Sequence, residues 1–174
     1  MWVTTLNKME GITDYLQHQL LWGFFDQNQD RPFCFCDAGD QIIMLSSVKP
    51  NTESKEVKFE NGMTLMFECR ASLNARRYKT VTYKPQDYTA DMIKEWFRRR
   101  LEGCANVGYV TFKKMPPHMI VKSQNHKKIP LNQTMFFGTL TITDAEKFDE
   151  IASKGIGQGC AFGFGALILP QVMK

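Results

Sequence analysis

The chain has 174 residues, 43% of them hydrophobic and 23% charged, and its formal net charge is +4. This length and composition are typical of one or two small globular domains, and they exclude a solenoid or a large multidomain enzyme. The apolar stretches are much shorter than the roughly 20 residues of a membrane-spanning helix, and the N-terminus lacks a basic segment followed by an apolar one. We therefore expect a soluble cytoplasmic protein with no membrane partner.

The charge is distributed unevenly along the chain. Between residues 76 and 128 there are 13 Lys and Arg against 4 Asp and Glu, so this segment carries +9 and the remainder −5. Clustered cations favour binding to a polyanion, because phosphate neutralisation depends on cations that lie close together. A solvated basic surface without a partner stays open as the alternative on charge alone.

The five cysteines are irregularly spaced and form no C-x-x-C pair, so they indicate neither a disulfide framework nor a zinc site. We expect free thiols in a reducing compartment. They are Cys34, Cys36, Cys69, Cys104 and Cys160.

The first half of the chain predicts one α+β unit. Thr13 is a good N-cap for a helix, and Asp14 lies in its first turn, where a negative charge is favourable. Apolar runs bounded by Gly, Pro and polar residues indicate strands on either side of this helix. The predicted elements are a strand at 1–8, the helix from Thr13 to about residue 25, strands at 32–37 and 41–47 joined by a hairpin turn, and strands at 57–59 and 63–72 around Asn61-Gly62.

The second half predicts the same order of elements more clearly. Apolar residues recur at helical spacing over residues 91–105, and Asp144 and Gly155 are typical of the beginning and end of a further helix. Pro116-Pro117 and the polar residues 123–128 indicate a hairpin that projects from the core. The predicted elements are a helix at 91–105, a strand at 107–112, the hairpin segment at 113–128 with a short strand at 119–121, a strand at 134–143, a helix from Asp144 to about residue 153, and a strand at 164–169 that ends at Pro170.

Two successive units of this kind predict an α+β fold of tandem ferredoxin-like (RRM-like) domains with antiparallel sheets. The predicted division is an N-terminal domain at residues 1–83 and a C-terminal domain at residues 84–174. A sheet covered by helices on one side leaves its other face open, and in small folds of this type that face commonly binds single-stranded or hairpin RNA.

Residues 155–165, called here the Gly-rich segment, contain five of the twelve glycines in the chain. The segment matches neither G-x-G-x-x-G nor a P-loop, and the chain ends too soon after it for a βαβ unit, so those kinds of nucleotide binding are not expected. Glycines allow a tight turn from helix into strand, and they also allow backbone amides to approach a phosphate closely. For the second role the candidates are Gly155, Gly157 and Gly159.

Three motifs in the chain resemble one known family. Residues 155–169 contain Gly-Ile-Gly-x-Gly followed by Ala-Phe-Gly-Phe-Gly-Ala-Leu-Ile-Leu, which resembles the C-terminal signature of the repeat-associated RNA-binding superfamily of CRISPR proteins. The helix motif Tyr15-Leu-Gln-His18-Gln-Leu-Leu-Trp22 resembles the Tyr-x-x-His-Gln-x-Leu-Trp motif of the CasE-type endoribonucleases. The stretch from Gly138 to Asp144 resembles the strand that enters the last helix in that family. The matches come in the family's order and span nearly the whole chain.

This resemblance implies tandem ferredoxin-like domains and a metal-independent endoribonuclease. Such an enzyme cuts CRISPR repeat transcripts at the base of a hairpin and makes mature guide RNA. The implied partners are the repeat RNA hairpin and the other subunits of an effector ribonucleoprotein complex, and no cofactor or metal is expected. The chain departs from the family in its shorter length and at Cys160, where many relatives carry a basic residue.

His18 and Tyr15 are the candidate catalytic residues. RNA can be cut by attack of its own 2′-hydroxyl on the adjacent phosphorus, which leaves 2′,3′-cyclic-phosphate and 5′-hydroxyl ends, so the protein need supply only geometry, proton transfer and charge stabilisation. His18 is the natural proton carrier because imidazole titrates near neutral pH, and either a base or an acid role is open. Tyr15 lies one turn earlier and can orient the nucleophile or donate to the phosphate. A structural histidine beside an apolar helix is the alternative for His18.

The candidate RNA-binding side chains are basic residues of the helix at 91–105 and of the hairpin segment, where RNA contact or solvent exposure is also expected of His118 and His126. They are Arg98, Arg99, Arg100, Lys113, Lys114, Lys122, Lys127 and Lys128. Two other functions remain open. The chain can be a non-catalytic subunit that holds the guide hairpin, or a basic ferredoxin-like module for another structured RNA.

Overall fold

The computed structural model describes residues 1–26, 30–73, 88–121 and 128–173. Within them lie three α-helices and eight β-strands. In chain order these are β1 (Trp2–Asn7), α1 (Asp14–Trp22), β2 (Phe33–Asp37), β3 (Gln41–Ser46), β4 (Lys55–Glu56), β5 (Thr64–Ala71), α2 (Ala90–Arg100), β6 (Ala105–Val121), β7 (Lys128–Ile142), α3 (Ala145–Lys154) and β8 (Leu167–Ile168).

The first sheet has four antiparallel strands in the order β2-β3-β1-β4. Helix α1 connects β1 to β2, and the chain then returns through β3 to the far edge at β4. Residues 47–54, which join β3 to β4, form no helix. The first unit is therefore a ferredoxin-like arrangement that lacks its second helix.

The second sheet has the order β6-β7-β5-β8, and its elements follow the complete β-α-β-β-α-β sequence of a ferredoxin-like unit. The predicted α+β class with tandem ferredoxin-like units is thus confirmed. The predicted division at residue 83 assigned β5 to the N-terminal domain, whereas β5 pairs with β7 and β8 in the second sheet. The two sheets separate between β4 and β5, because Thr64–Ala71 finds its hydrogen-bond partners some 70 residues later in the chain.

The predicted projecting hairpin is part of two long strands. Strands β6 and β7 pair along their whole described length, so the strands predicted at 107–112, 119–121 and 134–143 merge into one ladder. The ladder has register shifts between Val107 and Val110 and between Met115 and His118. The tip of the hairpin, residues 122–127, lies outside the described residues.

Several predicted boundaries are wrong by a few residues or more. Helix α1 ends at Trp22, and α2 ends at Arg100 because the chain turns through Gly103, whose φ is +81°. The fourth strand lies at Lys55–Glu56, ahead of the predicted 57–59. The last strand is Leu167–Ile168, since Gly165, with a φ of +81°, interrupts the start of the strand predicted at 164–169.

The largest cluster of buried apolar side chains among the described residues spans both units. Helix α3 belongs to the second unit in sequence, yet it packs against the first sheet: the Cys34 thiol donates to the Ala152 carbonyl at 3.3 Å. Phe148 of the same helix meets Phe59 edge-on, with ring centroids 4.9 Å apart.

All five cysteines are buried free thiols, and burial raises the pKa of Cys36 to about 11. In the described parts of the chain, no helix is long and apolar enough to cross a membrane.

Candidate functional site

Helix α1 begins as its sequence predicts. The Thr13 hydroxyl accepts a hydrogen bond from the Leu16 amide at 3.3 Å, and Asp14 occupies the first turn. The buried side of the helix carries Gln17 and Leu21. Tyr15 and His18 are half-buried at its margin. The predicted catalytic pair thus shares a short helix at the surface of the first unit.

The His18 ring lies among three aromatic rings. Its centroid is 5.9 Å from that of Phe33 on β2 and 6.5 Å from that of Phe162 in the Gly-rich segment. Trp22, one turn later on α1, donates its indole N–H to Nε2 of His18 at 3.2 Å. Since Nε2 accepts this hydrogen bond, the neutral imidazole carries its proton on Nδ1. The hydrogen bond from Trp22, four residues later on the helix, and the contact with Phe162 near the end of the chain together set the orientation of the His18 ring.

His18 is held in its neutral form. Burial lowers the pKa of the imidazole, and the positive charge of Arg31 lowers it further. Because the ordinary pKa of histidine is about 6.5, a lowered value leaves the ring uncharged at pH 7. An uncharged imidazole is the form that can accept a proton.

Arg31 is a site residue that the sequence analysis missed. It lies two residues before β2 and donates through Nη2 to the Lys154 carbonyl at 3.4 Å, and its positive charge lowers the pKa of Cys160 against the larger effect of burial, which raises it. A cation therefore lies beside the Gly-rich segment at the position where the sequence has Cys160 instead of a basic residue. One signal was available: Arg31 is the only Lys or Arg between Lys8 and Lys49.

The Gly-rich segment is a tightly packed turn. All five of its glycines have φ between 79° and 86°, a conformation that side chains disfavour. A Cβ on Gly155 would lie 2.9 Å from Cβ of Cys34, and one on Gly157 would lie 3.0 Å from the Trp96 ring. A Cβ on Gly165 would lie 2.5 Å from the Ile156 carbonyl oxygen. These contacts account for the glycines as packing and turn residues. Phosphate binding by Gly155, Gly157 and Gly159 stays a prediction.

A second histidine lies close to the same helix. Nε2 of His118, on β6, is 3.0 Å from Oδ2 of Asp14, four residues before His18. The His118 ring also contacts Phe164 of the Gly-rich segment, with centroids 5.9 Å apart. The two aromatic residues of that segment, Phe162 and Phe164, therefore touch one histidine each. The sequence predicted RNA contact or solvent exposure for His118, and the structure places this residue beside α1.

The predicted basic residues form two separate exposed groups. Arg98, Arg99 and Arg100 end α2; Arg99 pairs with Glu95 at 3.1 Å, and the guanidinium of Arg100 lies 5.1 Å from the Trp96 ring centroid. Lys113 and Lys114 on β6 and Lys128 at the start of β7 are exposed on the hairpin. Lys122 and Lys127 lie outside the described residues. No three His, Cys, Asp or Glu of the described part of the chain form a group that could hold a metal ion.

A model of the CRISPR-associated protein family matches residues 7–170 of this chain. No curated protein matches it significantly. Among solved structures, Cas6e from Escherichia coli str. K-12 is 24% identical, with a TM-score of 0.71 and coverage of 97% of this chain and 98% of that chain. The CRISPR endoribonuclease Cse3 bound to a 19-nucleotide RNA is 19% identical, with a TM-score of 0.75 and coverage of 97% and 99%. Thermus thermophilus Cse3 bound to an RNA that represents a pre-cleavage complex is 18% identical, with a TM-score of 0.72 and coverage of 97% and 98%. At these identities the likeness establishes a shared fold.

Proposed function

Since the chain belongs to the family of CRISPR-associated proteins, we propose that it is an endoribonuclease that cleaves CRISPR repeat transcripts at the base of a hairpin. Its product is mature guide RNA, and the protein stays bound to this product as a subunit of the effector ribonucleoprotein complex. One observation carries this proposal. A neutral His18, within the Tyr15–Trp22 motif, is held where α1 meets β2 and the Gly-rich segment.

The chemistry follows from a neutral imidazole and an internal nucleophile. The 2′-oxygen of the RNA bonds to the adjacent phosphorus, and the bond from phosphorus to the 5′-oxygen breaks. His18 takes the proton of the 2′-hydroxyl through Nε2, which exchanges the Trp22 hydrogen bond for one to the substrate. The departing 5′-oxygen takes up a proton from water. Because the nucleophile belongs to the RNA, the step needs no metal-bound water, and its product is a 2′,3′-cyclic phosphate.

Two neighbours of His18 have supporting roles in this proposal. The Tyr15 hydroxyl, one turn earlier on α1, donates to a non-bridging oxygen of the scissile phosphate. The charge of Arg31, whose influence reaches His18, favours the extra negative charge that develops on the phosphorane in the transition state. Arg31 thus supplies a cation near the position of Cys160 in the Gly-rich segment.

The RNA itself is held by clustered cations. The exposed arginines that end α2 and the exposed lysines of the β6–β7 hairpin are expected to contact phosphates, and the amides of Gly157 and Gly159 are expected to approach one more. The Gly155 amide donates to the Ile151 carbonyl at 2.9 Å, so Gly155 contributes the turn that leads to these amides. Side chains enter an A-form major groove poorly, so shape and phosphate positions supply much of the recognition. The solved relatives support RNA binding, because one is Cse3 bound to a 19-nucleotide RNA and another belongs to a CRISPR RNA-guided surveillance complex.

The test is cleavage of a hairpin repeat RNA in excess EDTA by the wild type, His18→Ala and Leu20→Ala. Leu20 is an exposed residue of the same helix and serves as the matched control. We expect the wild type and Leu20→Ala to cut once at the base of the stem, and His18→Ala to bind RNA equally well without cutting. A single 2′-deoxy sugar just upstream of the cut should block cleavage and leave binding unchanged.

The alternative is a non-catalytic subunit that holds the guide hairpin. Tight binding by all three proteins with no cleavage by any of them would favour this function and contradict ours. Cleavage that survives the 2′-deoxy substitution would contradict the proposed chemistry, because the internal nucleophile would then be absent.

A further inference from the structure

The hydrogen bond between His118 and Asp14 joins two parts of the proposed site that are 104 residues apart in sequence. Asp14 begins α1, one turn before His18 and on the same side of the helix. His118 lies on β6, in the hairpin that carries the exposed lysines. Both side chains are about 30% exposed, so the bond lies at the edge of the interface between α1 and the second sheet.

A β-bulge places His118 on the side of the sheet that faces α1. Met115 pairs with Gln133 and His118 pairs with Leu131, so two prolines of β6 lie opposite the single residue Asn132. Side chains alternate between the two faces of a strand, and one extra residue therefore moves His118 to the face of Met115. Prolines suit this position because they have no N–H to contribute to the ladder.

Side-chain hydrogen bonds hold the bulge in place. Gln133 donates through Nε2 to the Pro116 carbonyl at 2.7 Å and accepts through Oε1 from Nε of Arg70 at 2.8 Å. The Arg70 guanidinium lies 4.4 Å from the centroid of the Phe164 ring, which the His118 ring also contacts. The position of His118 is thus fixed by its strand, by the contact with the Phe164 ring and by the hydrogen bond with the Asp14 carboxylate.

We propose that His118 is a positioning residue: its hydrogen bond to Asp14 ties the RNA-binding hairpin to α1 and sets the register between the bound RNA and His18. This inference rests on the proposed function. RNA held by the lysines of β6 and β7 would reach His18 at the correct phosphate only if the hairpin and α1 keep one relative position. A small misplacement of reacting groups lowers the rate far more than it weakens binding.

The test compares two substitutions of His118, one that keeps a hydrogen-bond donor for Asp14 and one that removes it. His118→Gln keeps an N–H that can donate to Asp14 and lacks an imidazole that can transfer protons. His118→Phe keeps a ring against Phe164 and loses the hydrogen bond. Met119→Ala, at an exposed neighbouring position of β6, is the matched control. Single-turnover cleavage with excess enzyme, the position of the cut, and the Kd of a 2′-deoxy repeat RNA are measured for each protein.

We expect His118→Phe to cleave about tenfold to a hundredfold more slowly at saturation and at more than one phosphate, with Kd unchanged. His118→Gln and Met119→Ala should behave as the wild type does. Asp14→Ala should match His118→Phe, and the double variant should be no slower than either, because one contact is lost in all three. Slow cleavage by His118→Gln would overturn the proposal in favour of proton transfer, and a weakened Kd with an unchanged saturating rate would make His118 a plain RNA contact.

A second measurement separates this inference from the proposed function. Amide hydrogen exchange in α1 is followed with and without the 2′-deoxy repeat RNA. We expect RNA binding to protect α1 in the wild type and in His118→Gln, and to leave α1 unprotected in His118→Phe. If the wild type binds without cutting, the proposed function fails while this readout still decides the positioning role; equal protection in all variants would overturn that role.

Discussion

At the scale of single residues, the behaviour of His18 depends on two neighbours that act in different ways. Trp22 supplies a hydrogen bond that selects the tautomer, and Arg31 supplies a charge that disfavours the protonated ring. Neither role follows from residue type alone, because tryptophan is ordinarily a packing residue and arginine is ordinarily exposed.

Replacing Arg31 by Gln should raise the pKa of His18. The substitution removes the charge that repels the imidazolium and leaves the burial that also lowers the pKa. The NMR titration of the His18 Cε1 proton measures the shift directly, and the acidic limb of the cleavage rate against pH should move the same way. Lys49→Gln, remote from His18 in sequence, is the control. An unchanged titration in Arg31→Gln would contradict the assigned influence of that charge.

The same pKa shift links pH to stability. His18 resists protonation in the folded protein, so the unfolded chain binds the proton more readily, and stability falls as pH drops through about 6.5. Urea unfolding at pH 7.5 and pH 5.5 measures this. His18→Gln should lose less stability between these two pH values than the wild type does.

Replacing Trp22 by Phe should destabilise the protein by about 1 kcal/mol, because the ring contacts largely remain and one partly buried hydrogen bond is lost. Urea unfolding gives the free energy, and the ¹⁵N shifts of the imidazole report whether His18 still holds its proton on Nδ1. Trp2→Phe on β1 is the control. Unchanged imidazole shifts in Trp22→Phe would show that Trp22 does not set the tautomer.

At the scale of elements, the Gly-rich segment brings the end of the chain against both histidines. One hydrogen bond joins it to β5, since the Gly165 amide donates to the Arg70 carbonyl at 2.6 Å. Another closes the segment on itself, since the Ile156 amide donates to the Gly165 carbonyl at 2.8 Å. The segment therefore fixes where Phe162 and Phe164 lie, and with them the surroundings of His18 and His118.

Two glycines with the same backbone conformation should differ in their tolerance of a side chain. Gly165→Ala should lower stability by about 3 kcal/mol or more, since its Cβ meets the Ile156 carbonyl in addition to the strain of a positive φ. Gly62→Ala should cost about 1 kcal/mol, because its φ is +89° and no atom lies within 4 Å of the new Cβ. Chemical unfolding of both variants gives the difference. Equal losses of stability in the two variants would mean that the contact between the new Cβ and the Ile156 carbonyl does not contribute to the loss.

At the scale of the whole molecule, the basic segment and the acidic remainder give the protein an uneven charge distribution. Phosphate binding by the end of α2 makes a measurable prediction. Arg98→Gln should weaken binding of the repeat RNA and reduce the slope of log K against log salt by about 0.7 to 0.9 for the lost contact. Lys58→Gln, in the acidic part of the chain, should change neither value. An unchanged slope in Arg98→Gln would favour a solvated basic surface.

Local sequence signals determined where the helices begin and how the chain alternates between helix and strand. Thr13 and Asp144 cap their helices through bonds to amides three residues later, and Gly155 ends α3 with a positive φ. These interactions span a few residues, so a linear pattern is sufficient to predict them. The motif around Tyr15 and His18 likewise identified the family, which the match over residues 7–170 confirms.

Tertiary structure alone decided which sheet each strand joins and which side chains meet. Strand β5 pairs with β7 and β8 in the second sheet. Its own sequence does not predict this, because the residue preferences of a strand do not specify which other strand it pairs with. Arg31 reached the carbonyl of Lys154 across 123 residues, and His118 reached Asp14 across 104. Such contacts depend on strand register, on a bulge and on the packing of the Gly-rich segment, which are set by the burial of the whole core.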